Sequence, residues 1–126
     1  MGRASGLAAR PLVVALTLLI AAPASAQDRT PSGRQNLVDL ARTLGESHAL
    51  GRLCQGRQDQ FWYDRMRRML EVEAADQGFR TRLVLAFNAA YNSGRALYPK
   101  CTDAARAEAR RIAGVGQALA AGLAKP

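Results

Sequence analysis

The stretch RALYPKCTDAARAEARR, residues 95–111, decides how this chain folds. Tyr98-Pro99 ends one helix, because the residue before a proline is pushed out of helical geometry. Thr102 opens the next. Its hydroxyl can accept from a free backbone amide, and Asp103 adds a carboxylate where the helix dipole favours one. Cys101 stands in the joint between them. Its one counterpart, Cys54, lies in GRLCQGRQDQFWYDRM, residues 51–66. There an earlier helical pattern ends, and Gly56 stops it by tolerating the left-handed conformation.

Working outward, four helical patterns appear, with no alternating run of β-branched residues to suggest a strand. The first runs from Leu37 to Cys54 behind Asn36 as cap, with Leu37, Leu40, Ala41, Leu44 and His48 on one stripe. Gly45 and Gly51 fall on or beside that stripe. Each weakens the helix by up to about 1 kcal/mol relative to alanine, and close approach by a neighbouring helix is the expected return. The second starts after Asp59. Trp62, Met66, Met69, Leu70 and Glu73 mark its inner side, with Phe61 beside them, and Arg82 is a candidate partner for Glu73. Asp64 with Arg68, and Arg67 with Glu71, are spaced for outer-face ion pairs. Gly78 is the expected breaker. The third begins at Phe79 and carries Leu83, Phe87, Ala90, Tyr91, Gly94 and Leu97. The fourth presents Ala105, Ala109, Ile112, Gly116, Leu119 and Leu123, a small-residue stripe that packs closely and buries little area.

Short connections between four helices favour an up-down-up-down order. Helix one then ends at the same rim where helix four begins, and Cys54 meets Cys101. Fusing helices two and three would send the cysteines to opposite ends. The expected fold is therefore all-α, a small antiparallel four-helix bundle stapled by one disulfide. Closing a loop of 47 residues stabilises such a fold by about 4 kcal/mol in the chain-entropy model. A redox-active pair is the sharper alternative, but Cys-x-x-Cys spacing is missing. A zinc site needs more ligands than His48 and two cysteines supply, so no metal or other cofactor is expected.

The first 26 of the 126 residues read as an export signal. Arg3 and Arg10 give the positive start, PLVVALTLLIAA the short apolar middle, and Ala24-Ser25-Ala26 the small residues of a cleavage site. That apolar run is about a dozen residues, against roughly 20 for a spanning helix, which disfavours an uncleaved anchor. The expected division is a signal peptide at 1–26, a disordered polar lead-in at 27–35 and a single helical domain at 36–126. The mature chain should carry no transmembrane segment and be periplasmic or secreted, and export supplies the oxidising compartment a disulfide needs.

Eighteen basic and ten acidic side chains give a formal +8. Losing Arg3 and Arg10 with the leader leaves +6, nearly all of it arginine. Such a surplus favours anionic neighbours such as lipid head groups, wall polymers or an acidic protein. Nucleic acid is the common partner of a basic chain, and export argues against it.

Three segments carry a resemblance: LGESHALGRLC at 44–54, DQFWYDRMRRMLEVEA at 59–74 and RLVLAFNAAYNSGRALYPKCT at 82–102. Together they resemble a bacterial family of small exported proteins of unknown function, over Leu37 to Leu123. In that family glycine often precedes the tyrosine of the third segment, where this chain has Ala90. The resemblance implies export and a paired cysteine framework. It implies no activity, substrate or cofactor.

Candidate chemistry is sparse. His48 is the sole histidine, and Glu46, two residues away on a helix, does not face it. A catalytic base also needs a nucleophile and an orienting partner, and no Ser or Cys motif offers one. Trp62, Arg65, Asn88, Tyr91, Asn92 and Arg95 are the candidate lining of a ligand groove. Against this stands a plain polar helix edge with tyrosine hydroxyls near water. Arg67, Arg68, Arg106, Arg110 and Arg111 are a candidate basic patch, set against ordinary solvated helix faces. The expected function is a non-enzymatic envelope protein that binds a protein or wall-associated partner. The alternatives are a basic module for anionic surfaces and an enzyme with an unfamiliar site around His48, Arg65 and Asn88.

Overall fold

Between Thr43 and Gly51 the first helix is buried at every position except the half-buried Glu46, and this follows from what the residues are. Thr43, Gly45, Ser47, Ala49 and Gly51 are small enough for neighbours to close in from every side. A helix buried all round is a central one rather than a surface stripe. The computed structural model describes residues 29–74 and 76–125, with the isolated positions 2, 6 and 8. The rest of the expected leader and residues 27–28 lie outside the described residues. Four helices make up the fold, α1 (Pro31–Cys54), α2 (Phe61–Glu73), α3 (Gln77–Leu97) and α4 (Asp103–Leu123). No strand occurs among the described residues.

Helix α1 starts earlier than its apolar pattern suggests. The Thr30 hydroxyl accepts from the Gly33 amide at 3.1 Å, and Pro31 takes the first turn. Proline suits that position because its missing N–H would have no partner there. Residues 31–35 are therefore helical where the sequence suggested a disordered lead-in, and Asn36 lies within the helix instead of capping it. The Arg29 side chain pins this entry. Its guanidinium forks onto the Glu73 carboxylate at 2.8 and 2.6 Å and donates to the Leu123 carbonyl at 3.1 Å. Arg29, not Arg82, is thus the partner of Glu73; Arg82 lies 3.5 Å from Gln35 Oε1.

The remaining boundaries follow capping chemistry. Asp59 accepts from the Phe61 amide at 3.2 Å and opens α2. Gly56 turns the chain before it at φ 119°. Asp76 accepts from the Phe79 amide at 2.7 Å and opens α3, so the break lies between Glu73 and Gln77. Gly78, the expected breaker, sits in the first turn of α3. Helix α3 stops before Pro99, and Thr102 accepts from the Ala105 amide at 3.2 Å to start α4.

Helices α2, α3 and α4 each pack on α1, which belongs to every close helix pair. Helix α3 runs parallel to it: Arg34 lies over the Phe79 ring at one end and Arg52 bonds Tyr91 near the other. Helices α2 and α4 run antiparallel, meeting α1 at Gly51–Trp62 and Thr43–Gly116, with Glu73 and Leu123 back beside Arg29. The α1–α3 contact is backbone-close. A Cβ on Gly45 would collide with the Phe87 carbonyl, and one on Gly94 would lie 3.0 Å from the Ala49 Cβ.

The larger core joins Leu37, Val38, Ala41 and Leu44 of α1 to Met66 and Leu70 of α2 and to Phe79, Leu83 and Phe87 of α3. A smaller one sets Leu50 against Ala105 and Ile112. Leu97 belongs to neither. It is 71% exposed, and Tyr98 packs towards the smaller core in its place. Cys54 and Cys101 are bonded, with Cα atoms 5.2 Å apart.

Candidate functional site

Neighbouring residues on a helix point about 100° apart, and α2 uses that angle to divide its aromatics. Tyr63 turns towards α3, with its ring 6.3 Å from Phe87 and 5.8 Å from His48. Trp62 turns towards α4. Beside it, Phe61 meets the indole edge-on at 4.9 Å, and the Arg65 guanidinium lies 3.5 Å over the Phe61 ring. These three side chains form one wall of an open groove of about 640 Å³. Leu40, Thr43, Leu44 and Ser47 of α1 make the floor, and Arg110, Ile112, Ala113 and Gly116 of α4 form the facing wall. Gly51 lets Trp62 sit down on α1: a Cβ there would be 3.3 Å from the indole Cδ1 and 2.5 Å from Asp59 Oδ2.

The six residues read as one groove do not share it. Trp62 and Arg65 line the α2–α4 groove, while Tyr91 and Arg95 line a separate hollow of about 680 Å³ with Arg52, Arg57 and Tyr98. Asn88 and Asn92 are exposed on α3 and line neither. Helicity was legible, but the rotational setting of α2 against α1 was not. Phe61, Arg52 and Arg57 are the residues that sequence reasoning left out of any groove. For Arg52 and Arg57 a signal was present, since both flank Cys54, where the end of α1 meets the end of α3.

The basic residues also divide. Arg106 pairs with Asp103 at 3.2 Å, and Arg111 forks onto Glu108 at 2.8 and 2.5 Å. Arg110 faces the groove instead. Arg67 and Arg68 stand exposed on α2. On helix surfaces the ion pairs that close are three apart, Asp39–Arg42 at 2.7 Å among them, not the four-apart pairs of α2.

His48 is buried among the rings of Tyr63, Phe87 and Tyr91, with centroids at 5.8, 5.8 and 5.2 Å. Its Nδ1 has no hydrogen-bond partner among the described residues. Burial, helped by the Arg52 charge and opposed by Asp59, pulls its pKa below the ordinary value. The neutral imidazole is favoured, and rings rather than a nucleophile surround it. Glu46 faces another way, towards Glu108 of α4. Burial first, and then the Glu108 carboxyl, raise its pKa, while the Arg111 fork lowers that of Glu108. His48, Arg65 and Asn88 are thus scattered over a ring cage, a groove wall and an exposed helix face.

Among the described residues, no group of three or more His, Cys, Asp or Glu is placed to hold a metal ion. No helix among them is long and apolar enough to cross a membrane. No curated protein and no solved structure matches the chain. A family model described as a protein of unknown function, DUF2385, matches residues 33–126, and the chain belongs to that family.

Proposed function

We propose that this chain is an exported, non-catalytic binding protein whose α2–α4 groove receives an apolar segment of an envelope protein. The observation that carries this reading is the aromatic wall. Phe61 is 50% exposed and Trp62 stands beside it over a floor that includes Leu40 and Leu44, an arrangement that leaves apolar surface facing water. Solvent-facing apolar grooves rimmed by polar groups are the usual form of a protein docking site. Arg65 and Arg110 border the groove on opposite walls. They favour a partner segment with carboxylates flanking its apolar residues. Export is supported by the leader pattern and by a disulfide of the kind that persists in oxidising compartments.

A photocrosslinking residue at Phe61, with recovery from envelope extracts, tests the reading. A discrete crosslinked partner is expected. Phe61→Ala should abolish competition by the unlabelled protein while leaving the melting temperature unchanged, because Phe61 is outside both cores. Labelling no stronger than from a crosslinker at exposed Arg68 would sink it. Export is checked separately by mass: the exported protein should lack residues 1–26.

A further inference from the structure

We propose that the hollow at the disulfide end of α1 and α3 binds a phosphate group. It is lined by α1, α3 and the turns that follow them, and it gathers three arginines, Arg52, Arg57 and Arg95. Arg34, Arg42, Arg106 and Arg111 on other faces pair with Asp or Glu, and Arg29 with Glu73. None of the ion pairs among the described residues involves the three arginines of the hollow. Two of them crowd one ring: the Arg52 and Arg95 guanidinium carbons lie 6.0 and 5.7 Å from the Tyr91 centroid.

Arg52 is held in place. Its Nε donates to the Arg57 carbonyl at 3.1 Å and its Nη1 to the Tyr91 hydroxyl at 2.8 Å. A guanidinium has five N–H donors, so this bonding fixes the group and leaves others to offer. The disulfide fixes the rest of the frame, since Leu53 and Pro99, which line the hollow, flank Cys54 and Cys101.

Helix C-termini explain part of the charge. Arg52 and Arg95 sit in the last turns of α1 and α3, where each helix end contributes about half a negative charge. Two such ends offset about one of the three positive charges. The surplus of about two matches a phosphate monoester, which carries −1.5 to −2 and three strong acceptor oxygens. A carboxylate brings one charge and two oxygens, enough for one fork. At about 680 Å³ the hollow is far larger than the anion alone. Tyr91, Tyr98 and Pro99 offer it apolar walls, which suits a phosphate on a small organic body or on a lipid.

Calorimetric titration at low salt of the purified protein, disulfide intact, tests the proposal. The probes are inorganic phosphate, glycerol 3-phosphate, and phosphatidylcholine vesicles with and without phosphatidic acid, whose head group is a phosphate monoester. Saturable binding is expected, weakened about tenfold or more by Arg57→Gln with Arg95→Gln, the scale of lost hydrogen bonds to a charged group. Neither of these side chains makes a hydrogen bond among the described residues, so the fold should stand. Arg67→Gln with Arg68→Gln removes equal charge from α2 and should leave affinity unchanged. Saturation by the soluble probes identifies a free phosphate compound, and binding only to vesicles that contain phosphatidic acid identifies a head group. Equal weakening by both double variants, or no saturable binding of any probe, would overturn the site.

Discussion

At the scale of single residues, glycines at Gly45 and Gly114 have opposite meanings. Gly45 faces the Phe87 carbonyl so closely that any Cβ forces α1 and α3 apart, whereas a Cβ on Gly114 meets nothing within 4 Å. Gly45→Ala should destabilise by about 1–3 kcal/mol through overpacking, despite a better helix former. Gly114→Ala should stabilise by up to about 1 kcal/mol, since only the helix term remains. Paired urea melts would show the contrast, and a neutral Gly45→Ala would refute the tight contact. His48 gives a pH signature. Its folded pKa lies below the ordinary 6.5, so the unfolded chain binds the proton more readily. The stability it contributes is present above about pH 6.5 and is lost as pH falls from there through the depressed folded value. Glu46 shifts upward and acts in the opposite sense as pH rises. The informative quantity is therefore the difference between the protein and His48→Gln. That difference in melting temperature should narrow on acidification from about pH 7 to 5, and a constant one would count against a buried neutral imidazole.

At the scale of elements, the termini of helices were legible and their faces only partly so. Pro99, Thr102, Gly56 and Asp59 act on backbone groups within a few residues, so their effect is written in adjacent sequence. Thr30 and Asp76 are equally local, but the polar first turns of α1 and α3 hid them beneath an absent apolar rhythm. Arg29 was illegible for another reason: its partners, Glu73 and the Leu123 carbonyl, come from the far ends of α2 and α4. Arg29→Ala leaves a mostly buried carboxylate without its cation. It should destabilise by about 2–3 kcal/mol, less than for a fully buried pair because both side chains keep some solvent contact. Adding Glu73→Gln should recover part of that loss. Chemical denaturation of the single and double variants measures the coupling, and strict additivity would deny it.

At the scale of the molecule, the helices depend unequally on the bridge. Helix α3 shares the larger core and the backbone-close contact with α1, but α4 fully buries only Ala105 and Ile112. The disulfide joins α4 at its start to α1 at its end. Reduction should therefore cost about 4 kcal/mol in the chain-entropy model and loosen α4 first. Hydrogen exchange after reduction should rise in α4 more than in α3. A uniform rise would place the cooperative unit elsewhere.

The sequence by itself determined the all-α class, most helix ends and the meeting of Cys54 with Cys101. Caps, prolines and up-down order depend on neighbours along the chain or on simple parity. Only the tertiary structure decided that α1 is the centre, that Trp62 and Tyr91 serve different hollows, and that Arg29 ties three helix ends together. Those outcomes depend on how each helix is rotated against the others. That rotation is set by the summed packing of residues far apart in sequence, in which small residues such as Gly45 and Gly94 count for the space they leave open.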